Sequence, residues 1–146
     1  MDASKKSALA LAVEVCLLAG VLVGCATTPA QSLLVLDDNP EAVLLVDNRH
    51  DNVDLFAQIR GELTLIENTC FGMETEFGTR TVVFPEGTQV AKAGGGVTIP
   101  GLGTVMLGEG IDGGGGTSSP GNLDFYHLVP AKCQTDEISV LNSFDR

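Results

Sequence analysis

The sequence has few residues of the kinds that bind nucleic acids, hold metals or carry catalysis. It contains eight lysine and arginine residues against 19 aspartate and glutamate residues, for a formal net charge of −11. A surface of that sign repels phosphate backbones, which argues against nucleic acid as a partner. The two histidines, His50 and His127, form no H-E-x-x-H motif, and there is no G-x-S-x-G motif. We therefore expect a protein that is not an enzyme and that uses no cofactor.

Cysteine is also scarce. Of the four cysteines, Cys16 and Cys25 lie in an N-terminal apolar segment, which leaves Cys70 and Cys133 for the rest of the chain. Two cysteines are too few for a cysteine-rich zinc site, and the absence of C-x-x-C argues against a redox-active pair. After export they would form one disulfide, which stabilises by about 4 kcal/mol in the chain-entropy model. Two separate buried thiols are the alternative.

Phosphate-binding loops are absent, although glycine is abundant. Residues 94–121 hold 12 glycines. A P-loop needs Lys-Ser/Thr after its last glycine, and a dinucleotide-binding loop needs a helix after it. Neither follows here, so we expect no nucleotide site.

The N-terminal segment has the order of an export signal. Lys5 and Lys6 come first, residues 8–23 are apolar except for Glu14, and Gly24 follows. A basic start, an apolar centre and a small residue at a cleavage site are typical of such signals. A membrane-spanning helix needs roughly 20 apolar residues, so a permanent transmembrane anchor is the weaker interpretation.

The last four residues of this segment are Leu22, Val23, Gly24 and Cys25. They resemble the lipobox of bacterial lipoproteins, and the resemblance covers residues 1 to about 30. It implies that the Cys25 sulfur takes a diacylglyceryl group through a thioether, and that a signal peptidase cuts between Gly24 and Cys25. An ordinary signal cleaved further on, for example after Ala30, and an uncleaved signal anchor are the alternatives.

The lipobox divides the chain into three parts: a signal peptide over residues 1–24, a lipidated tether over residues 25–32, and one β-rich domain over residues 33–146. Two acyl chains on Cys25 would give lasting attachment, since one chain alone binds a membrane only marginally. The expected location is the cell membrane or the outer membrane, facing away from the cytoplasm. The expected partners are the membrane itself and an envelope protein or small ligand.

Several segments have the pattern of β-strands. Residues 55–66 alternate between apolar and polar with period two, and Gly61 within them suggests a bulge or bend. Leu33–Leu36 and Ala42–Val46 flank a turn-forming segment and predict a strand pair. Further strands are predicted at residues 68–72, 80–84, 88–91, 123–129 and 138–141, with 80–84 and 88–91 forming a hairpin through Pro85 and Gly87.

The glycine-rich segment contains a regular apolar pattern. Five of its apolar residues share odd numbers, which predicts one buried face of a strand pair. They are Val97, Ile99, Val105, Leu107 and Ile111. His127 is expected to be a strand residue at a barrel rim, with a ligand role as the alternative.

Many short strands with turn signals between them, and no long amphipathic helix, predict an all-β fold. We expect a small antiparallel β-barrel, OB-like, or a β-sandwich, after a cleaved N-terminal signal helix. The glycine spacing loosely resembles that of small envelope lipoproteins of unknown function, and that resemblance assigns no residue a role.

One acidic cluster is a candidate cation site. Asp47, Asp51 and Asp54 lie around His50, and carboxylates at short spacing can hold Ca²⁺. The spacing does not match an EF-hand loop, so a solvated polar loop is the alternative. The leading hypothesis is a lipid-anchored cell-envelope protein that binds an envelope component or small ligand. A solute- or Ca²⁺-binding module and a small envelope hydrolase are its rivals.

Overall fold

A computed structural model describes residues 33–39, 42–48, 55–92 and 95–144. Within these ranges the secondary structure consists of β-strands and three short 3-10 helices, so the all-β expectation is confirmed. The strands are β1 (Leu33–Asn39), β2 (Ala42–Asp47), β3 (Ala57–Ile66), β4 (Cys70–Thr75), β5 (Gly78–Phe84), β6 (Gln89–Val90), β7 (Gly96–Ile99), β8 (Gly103–Met106), β9 (Gly110–Ser118) and β10 (Ile138–Leu141). The 3-10 helices are Pro120–Asn122, Tyr126–Leu128 and Ala131–Cys133.

The strands form two sheets. The larger has the order β1-β2-β4-β3-β9-β10-β5, and β5 also pairs with β2 and β4. The smaller contains β6, β7 and β8, all antiparallel. The expectation of a closed, antiparallel OB-like barrel was wrong. The larger sheet is mixed because β2 runs parallel to both β4 and β5, and β5 runs parallel to β10.

Two hydrophobic clusters lie on either side of the central strands. Leu44 of β2 and Phe84 of β5 belong to the first cluster, whereas Leu45 and Val83, their chain neighbours, belong to the second. Successive residues of a strand point to opposite faces, so these strands are covered on both faces. That explains the uninterrupted apolar run of β2, which is typical of strands in parallel arrangements.

The smaller sheet adds its apolar face to the first cluster. Val97, Ile99 and Val105 are buried there together with Ile111 of β9. Four of the five residues that the odd-numbered pattern predicted to be buried are therefore in the core. Leu107 is the exception at 39% exposed, because it lies in the turn that follows β8.

The prediction that residues 80–84 and 88–91 pair with each other as a hairpin was wrong. The turn after β5 forms as expected, since the amide and the hydroxyl of Thr88 both donate to the Pro85 carbonyl oxygen, at 3.2 and 2.7 Å. However, the returning strand β6 pairs with β7 in the smaller sheet. The space beside β5 is taken instead by β10 and by β2 and β4.

The predicted strand over residues 123–129 is absent. Prolines at 120 and 130 bracket this segment, which contains a 3-10 helix and turns. Phe125 and Val129 are buried in the second cluster, so the segment covers the sheet rather than extending it. His127 is accordingly not a barrel-rim strand residue: it is exposed, and its Nδ1 lies 2.8 Å from the Asp124 carbonyl oxygen.

Strand β8 lies at the edge of the smaller sheet. The backbone of Met106, at the end of this strand, is engaged by one residue. Its amide donates to the Glu109 carboxylate at 2.7 Å, and its carbonyl oxygen accepts from the Glu109 amide at 3.0 Å. Both outward polar groups at this point of the edge are therefore occupied.

Candidate functional site

Most of the residues that the sequence singled out lie outside the described part of the chain. Gly24, Cys25, Asp51 and Asp54 belong to this group. Asp47 is the last residue of β2 and is half-buried. Among the described residues, no group of three or more histidine, cysteine or acidic side chains is placed to hold a metal ion. Over the same residues, no helix has the length and apolar character needed to cross a membrane.

Cys70 and Cys133 form the expected disulfide. Their Cα atoms are 5.5 Å apart and 63 positions separate them in the sequence. Cys70 is the first residue of β4 and Cys133 ends the third 3-10 helix, and both are fully buried. The bridge therefore holds the segment between β9 and β10 against the larger sheet.

Hydrogen bonds to β5 fix the loop that follows this bridge. The Thr81 amide donates to the Thr135 hydroxyl at 2.9 Å, and the Thr81 hydroxyl donates to the Cys133 carbonyl oxygen. Thr135 in turn donates to the Glu137 carbonyl oxygen at 2.6 Å. Thr81 is completely buried, so these bonds are protected from water. Together they place Glu137 beside the neighbouring residue of β5, Arg80.

Arg80 is largely buried and makes several contacts. Its Nη2 lies 2.6 Å from the Glu137 carboxylate, with the Arg80 side chain 17% exposed and that of Glu137 47%. Its Nη1 donates to the Thr117 hydroxyl at 3.4 Å, and its guanidinium carbon lies 5.5 Å from the centre of the Phe77 ring. That distance is within the range of a cation–π interaction. The Nε atom is buried and has no hydrogen-bond partner.

Phe77 lies at the tip of the β4–β5 hairpin. Thr75 closes the two-residue turn of this hairpin. The Thr75 hydroxyl accepts a hydrogen bond from the Phe77 amide at 3.2 Å and donates one to the Gly78 carbonyl oxygen at 2.9 Å. Gly78 has φ +106°, which a glycine adopts without strain. The turn leaves the Phe77 ring 76% exposed.

A second polar group lies on the outer face of β3 and β9. Arg60 and Asp112 are directly opposite each other in the register. The Asp112 carboxylate accepts from Gln58 Nε2 at 2.8 Å and from Arg60 Nη2 at 2.6 Å. The Gln58 hydrogen bond, then that of Arg60, lowers the pKa of Asp112 below its ordinary 3.8, against a smaller opposing effect of desolvation. Asp112 is thus held as a carboxylate.

These features border two adjoining depressions that share Phe77 and Arg80. The first has a volume of about 290 Å³ and also includes Thr79, Thr135 and Glu137. The second, of about 240 Å³, extends over Gln58 and Arg60. We call the two together the Arg80 surface. Neither is lined by a histidine, cysteine or serine. The surface offers two arginines, an aromatic ring, threonine hydroxyls and carboxylates, which include Asp136 and Glu76 besides Glu137.

Sequence reasoning missed the Arg80 surface. Phe77 and Arg80 are three positions apart in the chain, and an apolar aromatic residue next to a glycine between two strand patterns was the available signal. The other residues come from β3, from β9 and from the loop before β10, which only the folded structure brings together. Comparisons of the chain with protein-family models, with curated proteins and with solved structures found no match.

Proposed function

We propose that this protein is exported, anchored by lipid on Cys25, and acts without catalysis by binding an envelope component or small ligand through the Arg80 surface. The Cys70–Cys133 disulfide is the observation that carries the proposal, because disulfides persist in oxidising compartments and are rare in the cytosol. A buried bridge in the β-rich part of the chain supports an export role for the apolar segment before Cys25.

The lipobox-like residues Leu22–Cys25 support the anchoring half of the proposal. A diacylglyceryl group has two acyl chains, and two anchoring signals are what stable membrane attachment requires. The folded part then needs no membrane-seeking surface of its own. Its strong negative charge is consistent with this, since acidic residues are repelled by anionic head groups.

The composition of the Arg80 surface supports the binding half. Both of its arginines are held in ion pairs, and its polar groups are fixed by the sheet and by the disulfide-bonded loop. A fixed set of donors and acceptors beside an aromatic ring can orient a ligand and limits the freedom lost on binding.

The anchor can be tested by intact mass spectrometry of the full chain expressed in a bacterium with lipoprotein-processing enzymes. The native protein should begin at Cys25 and carry the added mass of a diacylglyceryl group. The Cys25→Ala variant should accumulate as an unmodified precursor. The Cys16→Ala variant is the matched control, since it removes a cysteine from the same apolar segment, and it should be processed normally.

Two results would contradict the proposal. One is a native protein that begins at another residue with Cys25 unmodified, which would indicate an ordinary secretion signal. The other is equal loss of lipid from both cysteine variants, which would point to a general export defect. The same spectra report the disulfide, because reduction of a Cys70–Cys133 bridge adds two hydrogens to the mass.

A further inference from the structure

We infer that the Arg80 surface binds a neutral, hydroxyl-rich ligand of the oligosaccharide class. This inference rests on the proposed binding function and names its ligand chemistry. It follows from three properties of the surface: both arginines are already paired with carboxylates, an aromatic ring shared by the two depressions is exposed, and one arginine donor lacks an acceptor.

The charge arrangement disfavours an anionic ligand. Arg80 is paired with Glu137 and Arg60 with Asp112, so a bound anion would have to displace a carboxylate from either arginine. An anion would also approach a chain of net charge −11. A hydroxyl group, in contrast, can donate to a carboxylate and accept from a guanidinium while both ion pairs stay intact.

The Phe77 ring provides an apolar platform at the boundary of the two depressions. The guanidinium of Arg80 lies 5.5 Å from the ring centre, and the ring remains 76% exposed. The C–H groups on one face of a pyranose carry partial positive charge and pack against the negative face of an aromatic ring. Hydroxyl groups at the edges of the same sugar are then free to reach the polar side chains.

The polar side chains on either side of the ring are held in place before any ligand binds. On one side Gln58 and Arg60 both donate to Asp112, at 2.8 and 2.6 Å. On the other, the bonds between Thr81, Thr135 and Glu137 fix the loop. Preorganised groups lose little freedom on binding, which favours weak ligands such as sugars.

Arg80 also retains an unused donor. Its Nε is buried without a hydrogen-bond partner, although its two Nη atoms have acceptors in Glu137 and Thr117. Buried donors are nearly always satisfied, so an orphan in a ligand-sized depression indicates a missing acceptor. Two depressions on either side of one ring suit a ligand of at least two linked sugar units.

The test is a titration of the full chain, kept in a polyoxyethylene detergent because sugar-headed detergents would compete. Chitotetraose and cellotetraose serve as neutral probes, tetragalacturonate as the anionic probe and tetralysine as the cationic probe. Isothermal titration calorimetry should detect at least one neutral probe. The Phe77→Ala variant should weaken its binding about tenfold, as expected for loss of one stacking contact.

Phe56→Ala is the matched control. Phe56 is 97% exposed and lines neither depression, so its removal should change the affinity less than about twofold. Arg80→Lys, which keeps the charge but loses Nε and the planar fork, should weaken binding about fivefold or more. Thermal unfolding of each variant verifies that the fold is retained.

The inference is overturned if neither neutral probe binds, if the charged probes alone bind, or if both phenylalanine variants lose affinity equally. These outcomes are separable from failure of the proposed anchor. A chain that carries lipid on Cys25 but binds no neutral sugar would remove the ligand assignment and leave the anchoring proposal standing.

Discussion

At the scale of single residues, the surface chemistry depends on how fixed partners hold each charged group. Asp112 shows this most clearly. It receives hydrogen bonds from Gln58 and Arg60 across the β3–β9 pair, although it is exposed to water. An exposed ion pair by itself contributes little to stability, so its role here is to orient the side chains of the Arg80 surface.

Replacement of Asp112 by asparagine should have an effect that depends on pH. Hydrogen bonds from Gln58 and Arg60 lower the pKa of Asp112 in the folded protein, so its stabilising contribution is present above the unfolded pKa of about 3.9. That contribution is lost as pH falls through the folded pKa. The free energy of unfolding should therefore differ between native and Asp112→Asn proteins most at pH 7, and the difference should shrink below about pH 4.

Urea denaturation at a series of pH values measures this difference. Gln58→Ala serves as a second variant, because it removes the largest cause of the lowered pKa while it leaves the carboxylate in place. It should weaken the pH dependence of the native protein. A difference of the same size at pH 7 and pH 3 would show that the hydrogen bonds do not stabilise the ionised form.

Residue-scale prediction from the sequence succeeded only where one chemical property decided the outcome. The pairing of Cys70 with Cys133 followed from there being two cysteines outside the N-terminal segment. Phe77 and Arg80 had no such signal, because the site they form depends on Thr81 and Thr135, which are 54 positions apart. Contacts between residues so far apart in the chain leave no pattern in the local sequence.

At the scale of strands, local sequence patterns predicted where the strands lie but not which strands pair with each other. The alternation at residues 55–66 predicted β3, and the β-branched run at residues 80–84 predicted β5. The hairpin failed because pairing with β10 and β2 is decided by burial on both faces of β5. The apolar alternation at residues 123–129 is compatible both with a strand and with an irregular segment that packs on the face of the sheet. The flanking prolines favour the irregular segment.

Two of the strand glycines, Gly61 and Gly115, lie where neighbouring atoms approach closely. Gly61 was expected at a bulge or bend, yet β3 keeps a continuous register with β9 through this residue. A side chain there would overlap Met73 and the Glu74 carbonyl oxygen of β4. Gly115 in β9 is confined similarly by the Val140 carbonyl oxygen and by Ile59.

Two alanine substitutions in the same strand test this explanation. Gly115→Ala should lower the free energy of unfolding by about 1–3 kcal/mol, because the added methyl group has no space. Gly110→Ala should change it by less than about 0.5 kcal/mol, since a methyl group there meets no atom within 4 Å. Urea denaturation of both variants provides the comparison, and equal effects would show that β-propensity rather than packing explains the glycines.

At the scale of the whole molecule, the disulfide joins the candidate site to the core. The segment from Pro120 to Cys133 contributes Phe125 and Val129 to the second hydrophobic cluster. It then leads into the loop that places Glu137 beside Arg80. Stability and the geometry of the Arg80 surface are therefore coupled through one covalent bond.

Removal of the bridge should affect both properties. The Cys70→Ser/Cys133→Ser double variant should lose about 4 kcal/mol of unfolding free energy in the chain-entropy model. Hydrogen exchange at the Thr81 amide, which donates to Thr135, should become faster than in the native protein. The native protein under reducing conditions should behave like the double variant, and unchanged exchange in both would show that the loop is held without the bridge.

The arrangement at the end of β8 has a consequence for neighbouring copies of the chain. The lipid anchor proposed for Cys25 would confine the molecules to one plane, where their effective concentration is high. An open strand border in such a layer invites one molecule to extend the sheet of the next, and such growth can continue into fibrils. With the Met106 amide and carbonyl oxygen already bonded to Glu109, the border offers no pairing groups at that residue. Extension of the sheet by a neighbouring copy is thus blocked at the Met106 end of this edge.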